Sequence, residues 1–119
     1  MKIEVHGTGE EKIAEVLSDE ILIRNAQDGL DLLGDLYYQD CGRIILYEKN
    51  ISPEFFDLKN GIAGEILQKF ANYRVRLALL GDFSKYPGQS IRDFIFESNK
   101  GKQVNFVGTL DEALERLGK

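Results

Sequence analysis

Residues 55–84 read FFDLKNGIAGEILQKFANYRVRLALLGDFS, and this stretch decides the fold. Taken as a helix, Ile62, Ala63, Ile66, Leu67 and Phe70 fall on one stripe, the spacing of a helix that buries one face. Val75 to Leu80 is then an apolar run closed by Gly81, too short for a helix and continuous enough for a strand covered on both sides. A helix running into such a strand is an α/β unit. It carries no nucleophile paired with a base and no metal cluster. Gly61-Ile62-Ala63-Gly64 also lacks the glycine spacing and the lysine–hydroxyl pair of nucleotide loops.

The same grammar extends in both directions. Upstream, Ile3 and Val5 alternate with polar neighbours and Gly7-Thr8-Gly9 turns the chain. Ile13 to Leu17 and Ile21 to Arg24 follow as short apolar segments, which predicts an antiparallel three-strand start. From Asn25 the period becomes helical, with Ala26, Leu30, Leu33, Leu36 and Tyr37 inward, Asn25 as cap and Gly42 beyond the end. Arg43 to Glu48 is a buried strand, and Ser52-Pro53-Glu54 opens a short helical turn with proline at its first position. Downstream, Ser90 with Asp93 reads as a capping box and Gly101 as a left-handed helix stop. Gln103 to Val107 is the last strand, and Thr109 to Glu112 caps a final helix with Leu110, Ala113, Leu114 and Leu117 inward. The expected order is βββαβαβαβα, a single α/β domain over residues 1–119. Its one mixed sheet has antiparallel amino-terminal strands and parallel later strands flanked by helices.

Composition narrows the function. With 119 residues the chain can bury one real core without disulfides. Fifteen basic against twenty acidic residues leave a net charge of −5, which gathers neither nucleic acid nor an anionic membrane. The lone Cys41 excludes an internal disulfide and fits a reducing, cytoplasmic setting. No run approaches the roughly 18 apolar residues of a membrane span, and the first residues lack the apolar core of a signal peptide. One His and one Cys cannot supply the four ligands of a structural zinc site. No metal or cofactor is expected.

In open α/β sheets, ligands sit beyond the carboxyl ends of the parallel strands. Those ends carry Glu48, Lys49 and Asn50 from one strand and Gly81, Asp82, Phe83 and Ser84 from the next, with Asp57, Asn60 and Gly61 at the start of the intervening helix. Glu48, Asn50, Asp57, Asn60, Gly61, Asp82 and Ser84 form the candidate binding face. Glu48 and Asp82 are also the pair that acid–base chemistry would use. His6, the only histidine, sits at a strand end with no nucleophile-elbow motif near it, so it reads as hydrogen-bonded or solvated rather than as a triad member. Adjacent aromatics cannot all face one way on a helix. Phe55, Phe56, Tyr86 and Phe96, together with the Tyr37-Tyr38 pair, therefore predict aromatic surface, and the first four are the candidate interface anchors.

The segments FFDLKNGIAGEILQKFANYRVRLALLGDF and IRDFIFESNKGKQVNFVGTLDEAL resemble a family of small bacterial domains of unknown function, family 4180, along essentially the whole chain. More distantly, the buried strand, loop, helix near Gly61, strand ending at Gly81 and terminal TLDEALERL are similar to the STAS domains of anti-sigma-factor antagonists and sulfate transporters. That likeness implies a STAS-like fold and a regulatory style of action. A STAS domain carries its phosphorylatable hydroxyl at the start of the matching helix, where Asp57-Leu58-Lys59-Asn60-Gly61 has none.

Two readings follow. The first is a non-enzymatic regulatory or protein-interaction module that meets a protein partner, a second copy of itself or a small ligand through the Glu48–Glu65 and Asp82–Tyr86 regions. The second is a small hydrolase or transferase whose acids Glu48, Asp82 and Asp57 act with Ser84 or Lys49 assisting.

Overall fold

The structure, a computed structural model, describes residues 1–9, 12–37 and 41–118, with Tyr37 described in its backbone only. Five strands form one sheet: β1 (Lys2–His6), β2 (Ile13–Leu17), β3 (Arg43–Tyr47), β4 (Arg76–Leu80) and β5 (Val104–Val107). Their spatial order is their chain order, β1-β2-β3-β4-β5. β1 and β2 are antiparallel, with Glu4 opposite Glu15, and every later pair is parallel. The helices are α1 (Ala26–Tyr37), α2 (Ile62–Asn72), α3 (Gln89–Lys100) and α4 (Leu110–Leu117).

Strand alternation sorts the side chains into two cores. On one face Ala14, Val16, Ile44, Leu46, Leu77, Leu79, Val104 and Phe106 pack with Leu32, Leu33 and Leu36 of α1, Ala63, Ile66 and Phe70 of α2, and Ile91 of α3. On the other, Ile13, Ile45, Ala78 and Val107 pack with Ala113 and Leu117 of α4, and its half-buried Leu110 and Leu114 close against them. The three crossover helices therefore share one side, as a sequential parallel sheet with crossovers of one hand requires. Arg43 and Arg76, paired neighbours on β3 and β4, fix α4 by donating to the Leu117 carbonyl at 2.7 and 3.3 Å. Cations at a helix carboxyl end suit both its orphan carbonyls and its dipole.

The mixed α/β sheet with parallel β3, β4 and β5 is the predicted fold, and three local expectations give way. Ile21–Arg24 is not a third strand: Ile23 makes a single bridge to Ile51 outside the sheet. The reason is Asn50, whose carbonyl accepts from Leu22 and Ile23 and whose amide donates to the Ser18 and Glu20 carbonyls. That residue curls the segment instead of letting it extend. Ser90 is not a cap, because α3 starts at Gln89, two residues before a Ser90 cap would allow, behind Gly88, whose φ of 109° turns the loop into the helix without a side-chain bond. Gly101 ends α3 in extended rather than left-handed backbone, with φ −101° and ψ −167°. The caps at Asn25, Ser52 and Thr109 do form. The Tyr37-Tyr38 expectation falls outside the described side chains.

The outer edge of β5 is closed by a side chain. The Asn99 amide donates to the Phe106 carbonyl at 3.1 Å and accepts the Phe106 N–H at 2.7 Å, filling the place of a sixth strand. Replacing Asn99 with Ala leaves both main-chain groups unpaired. Urea denaturation is expected to show a loss of about 1–3 kcal/mol, with unchanged m-value.

Candidate binding groove at the carboxyl end of the sheet

Glu48 follows the last residue of β3 and is only 9% exposed. A carboxylate in such a place must be paired. It accepts a hydrogen bond from the Tyr86 hydroxyl and pairs with Lys85, Nζ to Oε2 2.6 Å. Burial, then the bond to Glu48 and its charge, push the Tyr86 hydroxyl well above its ordinary value, so the tyrosine remains a donor. This packing exists because residue 81 is glycine. A Cβ there would stand 2.5 Å from the Glu48 Cβ and 2.9 Å from its Oε1.

Asp82 lies at the same end but is exposed and turned to local work. One carboxylate oxygen accepts the Ser84 N–H at 3.1 Å and the Ser84 hydroxyl at 2.6 Å, capping the 3-10 turn Phe83–Lys85. Those Ser84 bonds, with a smaller contribution from the Lys85 charge, hold its carboxyl below the usual carboxylate range. Lys85 thus links the two predicted acids, ion-paired to one and acting through space on the other. Asn50 is fully buried and ties down the 18–23 segment; its Oδ1 has no partner among the described residues. Asp57 caps the 3-10 turn Leu58–Asn60, Asn60 bridges the Glu54 carbonyl and the Ile62 N–H, and Gly61 supplies the left-handed residue before α2.

Of the expected anchors, Phe55 and Phe56 belong to the core. The one-face argument fails for them because they occupy a 3-10 turn, Pro53–Phe56, wedged between α2 and the loops rather than an exposed helix. Phe56 stacks on Tyr86 with ring centroids 4.2 Å apart and tilts against Phe83, which meets Phe106 edge-on, as Phe94 does from α3. Phe96 stays 64% exposed, with the Lys100 ammonium 4.6 Å above its ring. The Phe56–Tyr86 stack floors an open groove of about 830 Å³ between the β3–α2 and β4–α3 connections, with Asp57 and Lys59 on one wall and Gln89 and Ser90 on the other. Glu48, Asn50, Asn60, Gly61, Asp82 and Ser84 are not among its lining residues; they hold the loops that form it.

Residues 8–117 match the family model described as Domain of unknown function (DUF4180). The chain belongs to this family. No curated protein and no solved structure matches it.

The DUF4180 chain also holds a polar cluster that no motif in its sequence marks. Glu15 lies mid-strand in β2, only 4% exposed, and accepts from His6 Nε2 at 2.8 Å and from the Tyr47 hydroxyl at 2.5 Å. It faces the side of the sheet that α4 covers, chiefly over β4 and β5. Burial draws its carboxyl upward, but the bonds from Tyr47 and His6 outweigh this and leave it below its ordinary value. The Tyr47 hydroxyl is pushed up to about 12 by burial and by Glu15. The only signal in the sequence was an acid interrupting the apolar run Ile13-Ala14-Glu15-Val16, which binary patterning reads as a solvated position. His6 is hydrogen-bonded at its strand end, as expected.

Two outcomes test this geometry. Gly81→Ala ordinarily gains about 0.4–1 kcal/mol through the unfolded chain. Here the clash with Glu48 reverses the sign, to a net loss of about 1–3 kcal/mol, read by urea denaturation. A lowered Glu15 pKa means its contribution is complete above the unfolded value near 4.5 and is lost as pH falls through the folded value. Wild type therefore loses more stability than Glu15→Gln between neutral pH and pH about 3. Parallel pH profiles for the two proteins would contradict this.

Proposed function

We propose that this DUF4180 domain is a non-enzymatic, cytoplasmic binding module whose recognition face is the groove floored by Phe56 and Tyr86. One observation carries the reading: both acids available for chemistry at the strand ends are already engaged. Glu48 is held by Tyr86 and Lys85, and Asp82 by Ser84. An acid–base enzyme needs a carboxyl free to reach a substrate proton. The exposed element is instead a mainly apolar trough within the usual span of ligand sites, about 300–1,000 Å³, rimmed by polar groups. The single cysteine of the sequence, the buried Cys41, fits a reducing setting. The hydroxyl-free turn before α2 favours regulation by occupancy over phosphorylation there.

The experiment is a ¹H–¹⁵N amide titration of the folded domain with a set of aromatic fragments and short peptides. Binders are expected to shift residues 56–59 and 86–91, and Lys59→Glu or Ser90→Asp, both at exposed positions, should weaken them about tenfold or more, roughly 1.4 kcal/mol. Binders that map consistently to another face would overturn the reading. So would turnover of any hydrolase substrate that is abolished by Asp82→Asn in a still-folded protein.

A further inference from the structure

The two edges of the sheet are finished differently. β5 is closed by Asn99, whereas Lys2–His6 make no main-chain hydrogen bond outside the β1–β2 pair among the described residues. An open edge is a template for another strand. β1 also carries a split surface. Met1 and Val5, 61% and 44% exposed, flank the half-buried Ile3 on the face that packs toward the helices, while Lys2 and Glu4 lie on the other face. Lys2 and Glu4 form no ion pair among the described residues, and Glu4 stands directly opposite the buried Glu15.

We propose that two copies of this chain associate edge to edge through β1, antiparallel about a two-fold axis at Ile3, joining their sheets into one. The occupant follows from register. With the axis at Ile3, each Lys2 falls opposite the partner's Glu4, Ile3 opposite the partner's Ile3, and Met1 opposite the partner's Val5. Moving the axis to Glu4 sets Glu4 against the partner's Glu4, and moving it to Lys2 sets Lys2 against the partner's Lys2. Like charges directly opposite destabilise a strand pair. Only the Ile3 axis pairs opposite charges while covering both exposed apolar residues, and it brings a cation beside the Glu4–Glu15 carboxylates. A two-fold contact of this kind is self-complementary and closed, so it stops at the dimer. It leaves the Phe56–Tyr86 groove, at the ends of β3 and β4, free.

Sedimentation velocity over a wide concentration series, at low ionic strength where surface charges are least screened, reads the association. A reversible dimer is expected. Lys2→Glu and Glu4→Lys should each weaken it about tenfold or more, and the double charge swap should restore it to within about threefold of wild type. Ile3→Cys should oxidise to a covalent dimer, because residues facing each other across the axis have Cα atoms about 4.5–5.5 Å apart, within disulfide reach. Val5→Cys should not, since its own symmetry mate lies four residues along, about 13 Å away. A wild-type monomer throughout, a dimer indifferent to both charge reversals, or equal cross-linking of the two cysteine variants would each overturn the proposal.

Discussion

The missing side chain at Gly81 lets Glu48 lie across the end of β4, and the loops at that end of the sheet take their positions from this contact. β3 and β4 are apolar and buried through their middles, so their charged neighbours lie at the ends. Glu48 is the one carboxylate that stays inside there, and it stays because Tyr86 and Lys85 reach back to it from the following loop. Tyr86, so held, presents its ring to Phe56, and the stack becomes a fixed floor. The groove thus depends on the hydrogen bond from Tyr86 to the buried Glu48.

Sequential strand order shapes what the fold can do. With no reversal of order, the loops do not diverge into the crevice that doubly wound sheets use for ligands. The depression forms instead where two neighbouring connections bulge outward, one through its 3-10 turns and the other through the turn before α3. The same topology places three helices on one face and α4 alone on the other, where it lies chiefly over β4 and β5. Beyond its reach, the Glu15, His6 and Tyr47 cluster ties β1, β2 and β3 together with hydrogen bonds where another helix would have used apolar contact.

Much of this was legible in the residues. The runs at 43–47, 76–80 and 104–107 are continuous, β-branched or apolar, and bounded by turn residues, and each is a strand within a residue of its expected limits. Helices α1, α2 and α4 announced themselves by period and by Asn25, Gly61 and Thr109. Periodicity failed where packing was decided from outside the element. Phe55 and Phe56 are both buried because a 3-10 turn is enclosed on more than one side. Ile21 to Arg24 has strand composition, yet Asn50 bends it from thirty residues away. Glu15 is polar but internal, and its partners come from two other strands. The acids of the candidate site were correctly placed at the strand ends; their hydrogen bonds, which set what they can do, depend on Tyr86, Lys85 and Ser84 and carry no signature in spacing.

Glu48 and Tyr86 act as one unit that builds the groove. A double-mutant cycle with Glu48→Gln, Tyr86→Phe and the combined variant, measured by urea denaturation, reads their coupling. A value of about 1–3 kcal/mol is expected, with the double variant less destabilised than the sum of the singles and the groove amides shifted in all three. Additive losses, within about 0.3–0.5 kcal/mol, would contradict it.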